Sequence, residues 1–142
     1  MPPPAASRLD RARILSRWIL AGLYLIAGIL HLYDPRPFLA IMPAWVPSAA
    51  EVVLFTGICE IAGAIGLMVV PLRRAAGVML ALYALCVYPA NIQHAINDLG
   101  LGQPHLGWAY HAPRLILQPA IIWWALFAGG VTNWPVQRRA RP

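Results

Sequence analysis

Four stretches almost free of charge divide the chain, at residues 18–33, 52–70, 75–96 and 115–131. Each approaches the roughly 17–25 residues that carry a helix across a bilayer. Apolar residues occupy every face of these stretches, whereas a soluble bundle would keep a polar outer face on each helix. The pattern predicts an all-α, integral membrane, antiparallel four-helix bundle, a single membrane domain over residues 1–142. A basic N-terminal segment, 1–16, and a basic tail, 132–142, flank the spans. The first span is the shortest and gains length if Arg17 snorkels toward the head groups.

Composition agrees with a membrane chain. Hydrophobic residues make up 60% and charged residues 11%, with a mean hydropathy of +0.62, against roughly 25% charged in soluble domains. Disorder goes with the reverse balance, and 14 prolines without a Gly-X-Y period do not make collagen. All eleven basic residues are arginine and sit between the apolar runs. That placement predicts an anionic lipid surface, the lipid bilayer, as partner rather than nucleic acid.

Orientation follows from the same arginines. With the N-terminus in the cytoplasm, Arg8, Arg11, Arg13, Arg17, Arg73, Arg74, Arg138, Arg139 and Arg141 lie inside, and only Arg36 and Arg114 lie outside. Both termini are then cytoplasmic, and the expected location is a bacterial inner membrane, crossed several times. The first run lacks a small-x-small cleavage site before Tyr33, so it reads as an uncleaved span. Pro71-Leu72-Arg73-Arg74 predicts a tight inner turn that makes the second and third spans antiparallel neighbours. The outer segment 34–50 carries four prolines around Phe38-Leu39-Ala40-Ile41-Met42 and Trp45, an apolar piece expected to lie in the membrane interface.

The few polar residues inside the spans are the candidate chemistry, because each costs about 2.5–3.5 kcal/mol to insert and needs a partner or a purpose. Glu60 has only small residues one turn away, Thr56, Gly57, Gly63 and Ala64, so it faces other helices. Tyr88, Asn91, His94 and Asp98 form one stripe on the third span. Pro89 leaves the Leu85 carbonyl without its donor, which predicts a kink or a polar partner there. Ala21, Tyr24, Gly28 and His31 share a face of the first span, and Arg114 and Gln118 open the fourth. His31, Glu60, Asn91, His94, Arg114 and Gln118 thus converge in the outer half as one ligand-binding pocket.

The same groups could instead tie helices together, at about 0.6 kcal/mol each, with Glu60 protonated or paired to Arg114. The four histidines, His31, His94, His105 and His111, have no metal-ligand spacing, and no metal site is expected. Cys59 and Cys86 form no C-x-x-C pair and read as packing residues, although they lie on adjacent spans. No phosphate loop, nucleophile elbow or HExxH motif occurs.

Five landmarks occur in order: Ala27-Gly28-Ile29-Leu30-His31, Ile41-Met42-Pro43-Ala44-Trp45-Val46-Pro47, Glu60-Ile61-Ala62-Gly63, Tyr88-Pro89-Ala90-Asn91-Ile92 and Arg114-Leu115-Ile116-Leu117-Gln118-Pro119. From residue 18 to 131 this layout resembles the small bacterial DoxX-like membrane proteins. The family's namesake is a subunit of an archaeal thiosulfate:quinone oxidoreductase, and relatives are linked to membrane redox complexes. The resemblance implies a quinone or quinol as ligand, the only cofactor suggested, and redox-complex subunits or a second copy as partners. It brings no agreed catalytic residues. The resulting expectation is a polar pocket in which Gln118, Asn91 and His31 hold a head group and Glu60 exchanges a proton. A permease or a non-catalytic assembly subunit are the alternatives, and whether the chain is an enzyme is left open.

Overall fold

The structure, a computed structural model, describes residues 8–100 and 106–135. Those residues form helices α1 (Arg8–Tyr33), α2 (Arg36–Ala40), α3 (Ala49–Met68), α4 (Arg73–Gly100) and α5 (Gly107–Gly129), with a 3₁₀ turn at Val70–Leu72. No strand occurs among the described residues. Three segments, Arg8–Tyr33, Ala49–Met68 and Val70–Gly100, are long and apolar enough to cross a membrane. The fourth expected span falls within α5, which is not in that set. Its 23 residues include His111, Pro113, Arg114, Gln118 and Pro119, which dilute its apolar character.

The long helices pack in cyclic order, α1 on α3, α3 on α4, α4 on α5 and α5 back on α1. The turn at Val70–Leu72 makes α3 and α4 adjacent, as Pro71-Leu72-Arg73-Arg74 predicts. Close packing between α1 and α3 depends on glycine. A Cβ on Gly28 would stand 2.7 Å from the Gly57 carbonyl oxygen, and one on Gly57 would stand 2.7 Å from the His31 Cβ. Small residues let the backbones approach, which gains dispersion where lipid supplies no hydrophobic drive.

The two ends of the packed helices differ. Leu20, Ala21, Ala64, Leu67, Ala76, Leu80, Ala125 and Ala128 fill the end near the α3–α4 turn as a dry core. At this end the Nε of Arg17 donates to the Ala128 carbonyl at 2.8 Å and Arg13 donates to the Thr132 carbonyl at 2.9 Å. These carbonyls lie where α5 ends, and a helix C-terminus leaves its last carbonyls without intrahelical donors. Arg17 thus has an acceptor at the end of α5. The segment expected as a separate basic stretch is, from Arg8 onward, the opening of α1. Arg138, Arg139 and Arg141 lie outside the described residues.

At the opposite end α2 and the residues after it fold back over the helices, so Phe38 stacks on His31 with ring centroids 3.6 Å apart. The apolar piece expected in the membrane interface covers the helix ends. Just before it, the exposed Arg36 bonds Asp34 at 2.7 Å and holds that carboxyl below its usual range. Any stability gained is present at neutral pH and lost as pH falls through the lowered value, and such exposed pairs contribute little.

Aliphatic side chains cover the outside, with Leu25 and Ile26 on α1, Phe55 and Ile58 on α3, Met79 and Leu82 on α4 and Ile116 on α5 all exposed. A water-facing surface of that character is rare.

Candidate functional site

Beneath the α2 cap the helices line a partly open cavity of about 660 Å³. Its walls are mostly apolar, with Leu20, Val87, Ile121 and Trp124 below and Val53 beside Phe38, Ile41, Met42 and Trp45 of the cap above. Five of the six residues that the sequence singles out line it: His31, Glu60, Asn91, Arg114 and Gln118.

Glu60 lies on the face of α3 that its small neighbours predict and is 4% exposed. Tyr83 of α4 donates its hydroxyl to Oε1 at 2.8 Å. His31 Nδ1 stands 3.0 Å from the other oxygen, Oε2, and 2.9 Å from the Ala27 carbonyl. His31 and Glu60 thus meet as a buried ion-pair contact between α1 and α3, with Nδ1 placed between Oε2 and the Ala27 carbonyl. Tyr24 packs edge-on against Tyr83, with centroids 6.1 Å apart, and completes an aromatic wall.

A second polar group faces the cavity from α4 and α5. Arg114 donates to Asn91 Oδ1 at 2.7 Å, and Asn91 Nδ2 donates to Gln118 Oε1 at 3.2 Å. The Gln118 amide then donates to the Ala84 carbonyl at 2.6 Å. This bond lands on Ala84, one residue before the Leu85 carbonyl that Pro89 deprives of its donor and for which the sequence predicts a partner. Arg114 also bonds the Tyr110 hydroxyl at 2.9 Å, its guanidinium 5.0 Å above that ring. Glu60 and Arg114 are not paired, so the expected structural link between them is corrected: each has nearer partners on its own side.

His94 belongs elsewhere. It packs edge-on against His111 and Tyr110 and does not line the cavity. The stripe of Asn91, His94 and Asp98 does face α5, but beyond Asn91 it meets a buried pair rather than open space. His111 Nε2 lies 3.1 Å from Asp98 Oδ2, which also accepts the backbone N–H of Gly107 at 3.0 Å and so anchors the start of α5. His105 lies outside the described residues. Both cysteines are free, Cys59 half-buried and Cys86 exposed on the cavity rim.

Tyr83 and the α2 cap were missed. A tyrosine in an apolar span needs a partner for its hydroxyl, and Glu60 on the preceding helix was the available acceptor. That signal was readable. The cap's direction was not, since an apolar segment between prolines covers a cavity or a lipid surface equally well.

No curated protein and no solved structure matches the chain. The resemblance to DoxX-like proteins is overturned, because the family comparison finds a different family and no DoxX match. Its landmarks are short pieces rich in glycine, alanine, proline and aromatics, which pack helices and end spans in membrane proteins generally. The quinone and redox expectations that came with it lose their support. Residues 20–129 match the family model described as a domain of unknown function (DUF8561), and the chain belongs to that family.

Proposed function

We propose that this chain is a multi-pass membrane protein of four spans that holds one small amphipathic molecule in the cavity. The apolar body of the ligand lies among Leu20, Val87, Ile121 and Trp124, and its head group meets Glu60 on one side and Asn91, Arg114 and Gln118 on the other. Support for the membrane reading comes from the exposed aliphatic side chains on α1, α3, α4 and α5. Arg13, Arg17 and Arg73 lie toward the dry end, and Arg36 and Arg114 toward the capped end. With positive charge favouring the cytoplasmic side, the dry end faces the cytoplasm of a bacterial inner membrane and the cavity opens in the outer half.

One observation carries the ligand reading: a 660 Å³ chamber whose walls are apolar except for a few converging polar side chains. Ligand sites run to about 300–1,000 Å³ and have that make-up. Polar groups that merely fasten helices would have closed the space between them.

The test uses Cys86, which lines the chamber. In Cys59→Ala protein held in lipid nanodiscs, 4-dodecylphenol should slow maleimide labelling of Cys86 saturably, and Asn91→Ala should raise the concentration needed. Labelling that ignores every aryl amphiphile tried would contradict the reading.

A further inference from the structure

The cavity wall built from α4 and α5 has a direction. Arg114 can only donate and the Ala84 carbonyl can only accept, so the chain of bonds between them runs one way: Arg114 to Asn91 Oδ1, Asn91 Nδ2 to Gln118 Oε1, and the Gln118 amide to Ala84. Both amide oxygens are thereby turned to donors within the wall. What remains is hydrogen. Each amide nitrogen keeps one N–H, and Arg114 gives two of its five to Asn91 and the Tyr110 hydroxyl and keeps three.

The wall is also charged. A guanidinium stays protonated at any physiological pH, and both acceptors of Arg114 are neutral. Among the described residues no carboxylate forms an ion pair with it. Glu60 meets Tyr83 and His31 on the α3 side, and Asp98 meets His111 and the start of α5. A cation that lines a mostly apolar chamber is costly until an anion meets it.

From this wall we propose that the ligand carries an anionic head that only accepts hydrogen bonds, a carboxylate by class, and that Arg114 takes it through the N–H groups still free. A carboxylate offers two accepting oxygens whose spacing matches the planar fork of a guanidinium. A hydroxyl head adds a hydrogen to a wall already rich in them, and an ammonium head adds three together with a repelling charge. With its body among Leu20, Val87, Ile121 and Trp124, the ligand is an amphipathic carboxylate. Arg114 is then the residue that sets specificity, choosing an ionised acid over a neutral amide of the same size. This inference rests on the ligand-binding reading above and names the chemistry of the head.

Matched probes separate the two claims. In the Cys86 labelling assay, run in nanodiscs of zwitterionic lipid, 4-dodecylbenzoate and 4-dodecylbenzamide share one body and nearly one shape, but only the first is an anion. The expected result is half-protection by the benzoate at a concentration about tenfold or more below that of the amide, the scale of a hydrogen bond to a charged group. Taking the ratio within each protein cancels a general loss of fit. Arg114→Gln should bring that ratio near one, and Arg114→Lys, which keeps the charge without the fork, should leave it in between. The wild-type comparison stands even if both variants fold poorly. Equal protection by the two probes, or stronger protection by the amide, overturns the anionic-head inference and leaves the cavity reading intact. A preference that survives Arg114→Gln undiminished overturns the assignment to Arg114. Protection by neither overturns the inference, and the cavity reading with it where 4-dodecylphenol fails as well.

Discussion

At the scale of single residues, the account depends on where side chains are absent as much as where they are polar. Gly77 of α4 sits against Gly129 of α5 so closely that a Cβ there would stand 2.8 Å from both the Ala125 carbonyl oxygen and the Gly129 Cα. Those atoms are backbone and cannot step aside. Gly77→Leu should therefore lower stability by about 1–3 kcal/mol, read as a lower melting temperature of helicity in detergent. Gly22, with nothing within 4 Å of its Cβ position, is the contrast. Gly22→Ala should be neutral or stabilising by up to about 1 kcal/mol through helix propensity. Equal losses at both positions would refute the close approach. Residue chemistry was also what the sequence revealed best. Glu60 could be placed because its small neighbours left one direction open, and Asn91, Arg114 and Gln118 because each is costly in an apolar run.

Among the elements, the long helices were legible from hydropathy, while their ends and the short α2 were not. Arg8 to Arg17 read as a charged flank, yet these residues form the first turns of α1 because the end of α5 supplies acceptors for Arg13 and Arg17. That is a contact across more than 100 positions of sequence, beyond any local pattern. His94 was misplaced for a related reason. Helical spacing assigns it the right face of α4, but how far along that face the neighbouring helix stays open depends on the Asp98 and His111 pair. The clasp between α1 and α5 has a direct test. Arg17→Ala should cost about 1–2 kcal/mol, since the Ala128 carbonyl loses a charged donor at a helix C-terminus. A denaturant midpoint unchanged from wild type would mean that Arg17 contributes nothing to holding α5.

In the whole molecule these pieces divide the labour between two ends. A dry core of alanine and leucine, closed by Arg13 and Arg17, fixes the helices at one end. That leaves the other end free to line the chamber under its cap of Phe38, Met42 and Trp45. Polar side chains do not fill the chamber; they line it. The central claim is that a small molecule occupies this space, and native mass spectrometry of protein released from mild detergent reads occupancy directly. Wild-type chain should carry one bound small molecule, and Ala90→Trp, which places an indole in the cavity lining, should abolish that species while the protein keeps its helicity. A wild-type spectrum of bare chain alone, or an adduct that survives Ala90→Trp undiminished, would contradict the account.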